Sequence, residues 1–141
     1  MTECELCSKN HPNEIWRNPR FYILDAGTDE FPAFLRVVCT RHVTEMSELS
    51  QEERSELIRI LLKIEEIFIA RLGTDKVNWA QFGNVVSHVH WHIVGRWKDD
   101  AFFPDSPWGS SKRAVPEELV KKRRAAMADV VKTLVAELDA Q

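Results

Sequence analysis

Three histidines at strict alternation, in His88-Val89-His90-Trp91-His92-Ile93-Val94, constrain this chain more than any other stretch. In a β-strand successive side chains point to opposite faces, so His88, His90 and His92 share one face. Val89, Trp91 and Ile93 share the other and demand a core beneath it. At about 3.3 Å per residue, same-face neighbours stand about 7 Å apart, which lines up three imidazoles within reach of one ligand. Imidazole rows pack poorly on sheets and serve chemistry well, so the row reads as functional rather than as three solvated side chains.

The rest of the chain supplies the core. With 141 residues it is expected to form a single domain over 1–141, large enough to bury its apolar surface without a disulfide scaffold. Residues 1–19 are polar and turn-rich. Phe21-Tyr22-Ile23-Leu24 reads as a strand, closed by Asp25, Gly27 and Asp29, and Phe34-Leu35-Arg36-Val37-Val38-Cys39 as a second. Over 47–72 the spacing of Leu57, Ile60, Leu61, Ile64, Ile67 and Phe68 predicts one long helix. Ser50 with Glu53 forms a capping box at its start, and Gly73 stops it. Further strands are expected at 76–82 and 87–96, a loop at 99–111, and a last helix from Pro116 to about 139. Strands and helices in blocks with short gaps give an α+β fold on a mainly antiparallel sheet of about five strands.

Charge and cysteines narrow the function. A formal net charge of −3 argues against gripping a nucleic-acid backbone, yet a small phosphorylated ligand needs only a few donors. Lys121-Lys122-Arg123-Arg124 reads as a solvated helix face. No apolar run approaches the roughly 20 residues that span a bilayer. The start, Met1-Thr2-Glu3-Cys4-Glu5, lacks the pattern of a secretory leader, so a cytoplasmic location is expected. Cys39 falls in an apolar strand and reads as core. Cys4-Glu5-Leu6-Cys7 is a C-x-x-C pair whose spacing suits a zinc knuckle, a redox pair or two free thiols alike.

Two chemistries fit the histidine row. Three imidazoles can hold an open catalytic metal. Alternatively, one neutral imidazole attacks phosphorus and forms a phosphoramidate that water cleaves, which requires a tautomer fixed by its far ring nitrogen. His-x-His-x-His followed by two apolar residues resembles the signature of the histidine triad (HIT) superfamily of nucleotide hydrolases and transferases. The likeness extends from about residue 4 to 108. It includes Gly83-Asn84-Val85-Val86-Ser87, the early Cys4-x-x-Cys7 of the zinc-bearing branch, and Arg36 to His42 followed by Glu45-Met46-Ser47-Glu48-Leu49.

The resemblance implies a HIT-like fold, a homodimer, and hydrolysis through a covalent nucleotidyl-histidine. It makes His90 the nucleophile and His92 its phosphate-binding assistant. It assigns Cys4, Cys7, His42 and His88 to a structural zinc. Asn84 is the first candidate for a nucleotide contact, with Asn78, Ser87 and Asp25 behind it; Trp108 and Phe103 are placed to flank a base or to pack. Dinucleoside polyphosphates such as diadenosine tetraphosphate, or adenylylated amines, are the implied substrates. No catalytic metal is required, and magnesium is the ion expected to accompany a polyphosphate. Two departures stand out: Phe34 where many members carry histidine, and Gly95-Arg96-Trp97 in place of the commoner Pro-Arg ending. The rivals are the three-histidine metalloenzyme and a nucleotide-binding adaptor without turnover.

Overall fold

The computed structural model describes residues 4–8 and 10–141. The reading of the acidic start rests partly on residues 1–3, which lie outside them. Five strands form one antiparallel sheet: β1 Glu14–Arg17, β2 Phe21–Asp25, β3 Phe34–Cys39, β4 Lys76–Ala80 and β5 His90–Arg96. Their order is β1-β2-β3-β5-β4. Helix α1, Gln51–Ile67, continues through a wider turn over Phe68–Leu72, and α2 spans Glu117–Asp139. The α+β class and the antiparallel sheet are as the sequence implies.

One face of the sheet meets the helices. Phe21 and Ile23 of β2, Leu35 and Val37 of β3, and Ile93 of β5 bury there against Leu57, Ile60, Leu61 and Ile64 of α1 and Met127, Val130 and Leu134 of α2. The stripe on α1 is thus core, and Ser50 and Glu53 cap the helix reciprocally, at 3.1 and 2.8 Å. Such a cap contributes about 1 kcal/mol. Gly73 closes the helix in the left-handed conformation, φ 62°. The other face carries Tyr22 and Leu24 of β2, Val38 of β3 and His90 and His92 of β5. Its centre is left for a site.

Several boundaries differ from expectation: the long helix starts at Gln51 rather than at 47, with Met46–Glu48 in a separate short turn. Residues 14–17 pair with β2 although the segment reads as turn-rich. A bulge between Glu14 and Trp16 sends both Ile15 and Trp16 to the core, so period-two alternation is lost. The strand at 76–82 stops at Ala80. The histidine strand begins at His90 rather than at 87, so His88 stands just outside the ladder.

Gly95 explains one departure of the sequence. Its N–H donates to Ala33 O at 2.8 Å, which proline could not do. A Cβ there would meet Thr74 Cγ2 at 2.9 Å and Ala33 Cβ at 3.0 Å, so the segments after Gly73 and before β3 pack this closely on the strand only because the side chain is absent.

Candidate active site and metal centre

His88 parts company with the other two histidines because Val89, the last residue in register with β3, turns its N–H to the segment that follows that strand. Val89 N donates to Val43 O at 2.8 Å and Cys39 N to Val89 O at 3.3 Å. These bonds hold the segment beside the end of β3 and the turn that follows it. Arg41 fixes that turn with a two-pronged bond to Glu53 at 2.8 and 3.0 Å. His42 comes next in sequence, and its ring meets that of His88 edge-on, with centroids 5.1 Å apart. Opposite them, Cys7 N donates to Cys4 O at 3.1 Å, closing one helical turn. Leu6 anchors that turn in the second apolar cluster, and Tyr22 Oη donates to its carbonyl.

Four donor atoms converge there. His88 Nδ1 lies 3.3 Å from Cys4 Sγ, 3.4 Å from Cys7 Sγ and 3.2 Å from His42 Nδ1, and Cys7 Sγ lies 3.2 Å from His42 Nδ1. All four are within 4.8 Å of one another. Zinc bonds of about 2.0–2.3 Å in a tetrahedron set donor-to-donor edges of about 3.3–3.8 Å, so the set fits with little movement. The tautomer fits too. His88 Nε2 faces Cys39 O at 2.6 Å; a carbonyl only accepts, so Nε2 carries the proton and Nδ1 keeps its lone pair. Burial pushes the His88 pKa down, favouring the neutral ring that a metal needs. The residues therefore could hold a zinc ion. Among the described residues this is the one metal-competent cluster of histidine, cysteine and carboxylate side chains, and His90 and His92 are not in it.

His90 makes the complementary arrangement. Its Nδ1 lies 2.6 Å from His88 O, so that nitrogen donates and the lone pair sits on Nε2. Nε2 has no hydrogen-bond partner among the described residues. The ring lines a hollow of about 520 Å³ shared with His92, Arg36, Asn84, Phe82 and Trp108. Larger hollows over Gln51–Arg59 and beside Trp79 contain no histidine.

His92 stands edge-on to His90, centroids 5.0 Å apart, and edge-on to Phe34 at 5.6 Å and Trp108 at 5.0 Å. Phe34 thus fills the space beside His92 and offers no hydrogen bond there. His92 Nδ1 is buried without a partner among the described residues. Burial, then His90 and Arg36, push its pKa down from 6.5 to about 4. The unfolded chain consequently takes up this proton first, so stability is expected to fall as pH is lowered from about 6.5 to about 4. An NMR titration should find the His92 ring neutral until about pH 4; protonation near 6.5 would contradict its burial.

The other candidates are divided. Asn84 lines the hollow, delivered by a turn in which Gly83 has φ 77°. Ser87 is exposed and does not line it. Asn78 lies on β4, and its Oδ1 accepts from Arg96 Nη1 at 2.8 Å. Asp25 ends β2, with Oδ1 accepting from Gly27 N at 2.8 Å. Phe103 packs over Arg96, 5.6 Å from Cζ to the ring centroid, whereas Trp108 reaches the hollow.

What brings Trp108 there is a buried ion pair. Arg96, 2% exposed, donates to Asp100 at 2.7 and 3.0 Å and to Asp105 O at 2.8 Å. Asp100 also accepts from the backbone of Phe102 and Phe103. Burial works to raise the Asp100 pKa, but Arg96 and the Phe102 and Phe103 N–H groups together outweigh it and hold the carboxyl below its usual range. Sequence reasoning did not find this pair, nor Arg36 as a lining residue. For Arg36 the signal was available: alternation along β3 puts Phe34, Arg36 and Val38 on the histidine face.

An antiparallel five-stranded sheet with helices on one face and a histidine row on the other defines a histidine triad fold. The profile of the HIT domain family matches residues 9–99, and the chain belongs to that family. Solved structures with this fold include a histidine triad protein from Bradyrhizobium japonicum, 24% identical, with a TM-score of 0.67, covering 84% of this chain and 89% of that one. A Zn-bound histidine triad family protein from Mycobacterium smegmatis is 19% identical, with a TM-score of 0.60 over 92% of this chain and 96% of that one. A hypothetical histidine triad nucleotide-binding protein from Sulfolobus tokodaii is 15% identical, with a TM-score of 0.60 over 93% of each. At these identities the likeness is one of fold. No curated protein matches the sequence.

Proposed function

We propose that the protein is a nucleotide hydrolase in which Nε2 of His90 attacks the α-phosphorus of a dinucleoside polyphosphate or an adenylylated amine. The observation that carries this reading is the 2.6 Å contact from His90 Nδ1 to His88 O, which leaves the lone pair on Nε2 of a ring that lines the pocket. As the P–N bond forms, the bond from phosphorus to the leaving oxygen or nitrogen breaks, and its electron pair departs with that group, which takes a proton. Water then attacks phosphorus, the P–N bond breaks, the pair returns to Nε2 and a proton is released. Nδ1–H stays on the His88 carbonyl throughout, so positive charge developing on the ring has an acceptor beside it. His92 and Asn84, which line the same hollow, would bind phosphate oxygens. Asn78, Asp25 and Ser87 are retained only as weaker nucleotide contacts, since two are already bonded and one faces solvent.

Zinc in the Cys4, Cys7, His42 and His88 set would play a structural part, holding the carbonyl that orients His90. Magnesium would travel with a polyphosphate substrate. The Zn-bound and nucleotide-binding relatives agree with both parts of the reading. We read residues 1–141 as one HIT-like domain with α2 appended, working in the cytoplasm, where thiols such as Cys4 and Cys7 stay reduced. Among the described residues no helix is long and apolar enough to cross a membrane. Three members of the basic run are engaged, Lys121 with Glu117, Arg123 with Asp99 and Arg124 with Asp29, which speaks against a nucleic-acid surface. Edge strand β4 borders an apolar groove of about 900 Å³ with Leu62, Trp79 and Phe82, and we place a second copy of the chain there. Sedimentation equilibrium should give twice the chain mass; a monomer at micromolar concentration would remove that part.

The direct functional test is turnover. Diadenosine tetraphosphate and adenosine 5′-phosphoramidate are supplied separately, and release of AMP from either is the expected result. Binding of both without cleavage would favour the adaptor reading.

A further inference from the structure

Arg36 is the residue that the mechanism above leaves unused. It pairs with His92 across β3 and β5, so the two Cα atoms are about 5 Å apart and both side chains leave the sheet on one face. Its Nε is buried and has no hydrogen-bond partner among the described residues. Among the described residues no carboxylate lies within ion-pair distance of it, whereas Arg41 and Arg96 are each forked onto one. A guanidinium held beside a pocket with a buried, unsatisfied donor is costly unless something pairs with it.

The space around it suggests what that is. Two hollows meet at Arg36: the histidine pocket, and a second of about 330 Å³ lined by Ser8, Asn10, His11 and Asn13. Glu5 and Leu6 also border both. Apart from Leu6 and Leu24 the second hollow is walled by hydroxyl, amide, imidazole and charged groups, the chemistry of a polar ligand. Among the described residues Glu5 is the single carboxylate on either lining, it is exposed, and it does not pair with Arg36. Phosphate is the anion that best matches a guanidinium fork in such a setting.

We infer that Arg36 forms a second anion site, which selects nucleotides carrying another phosphate besides the one His90 attacks. The inference rests on the nucleotide reading above. The second phosphate can be linked in two ways, through an anhydride chain or through the sugar, and Arg36 makes the same charge-assisted bonds to both.

Calorimetric titration of the wild-type protein, R36M and R36K tests this. The probes are AMP, α,β-methylene-ADP (whose P–C–P link cannot be cleaved), adenosine 3′,5′-bisphosphate and inorganic pyrophosphate. Wild type should bind at least one of the two-phosphate nucleotides about tenfold or more tighter than AMP. In R36M that ratio should fall to near one, with R36K in between; whichever nucleotide shows the effect identifies the linkage. Thermal melting shows whether R36M is folded, and R36K carries the test if it is not. Equal affinity of wild type for AMP and both two-phosphate nucleotides would overturn the inference. So would R36M weakening AMP by the same factor as the others, because Arg36 would then serve the first phosphate. Pyrophosphate bound through Arg36 with no nucleotide bound would keep the anion site and remove the nucleotide reading. No binding of any probe would remove both.

Discussion

His90→Ala is expected to lower AMP release from diadenosine tetraphosphate by about 10⁴-fold or more, the scale of losing a nucleophile. The ring is buried and its Nδ1–H occupies the His88 carbonyl, so thermal melting of the variant is read alongside its activity to show that it is folded. Asn84, His92 and Arg36 would remain to bind the nucleotide. Affinity should therefore survive while chemistry does not. That split matters because the two rivals predict other patterns. An adaptor has no turnover to lose. A three-histidine metalloenzyme loses its metal together with its activity.

The second large effect concerns the knuckle. Cys4→Ser combined with Cys7→Ser is expected to abolish stoichiometric zinc, which metal analysis of the purified protein would measure directly. A ligand present at a thousand times its Kd stabilises the folded state by about 4 kcal/mol, and the double variant forfeits this. The urea midpoint should drop accordingly, and chelation of the wild type should reproduce the drop. Activity should fall as well. His88 is bound to the set through Nδ1 and supplies, from its own backbone, the acceptor for His90 Nδ1–H. Loosening one loosens the other. A double variant that retains one zinc per chain would place the metal elsewhere and undo this assignment.

Much of this was legible in local pattern. The apolar stripe on α1 and the Ser50–Glu53 cap depend on spacing within one helix, and spacing is what a sequence displays. The face shared by His90 and His92 follows from alternation in the same way. What escaped was set by contacts far apart in the chain. His88 leaves the strand because Val89 N turns to Val43 O, 46 positions away. The pair Arg96–Asp100 is close in sequence, yet its burial depends on the folded-back loop that ends near Arg113. Residues 14–17 were hidden by a bulge that breaks their alternation. Arg36 escaped for another reason: within an apolar strand a single arginine reads as an edge residue until the histidine row is known to lie beside it.

The central claim is that a metal-free Nε2 on His90 forms a bond to phosphorus. The measurement that meets it most directly is to mix the protein with labelled diadenosine tetraphosphate, quench in base within the first turnover, and map the label by mass spectrometry. Adenylyl groups are expected on His90, and none in His90→Ala. A label on any other residue, or hydrolysis that persists in His90→Ala, would contradict the account.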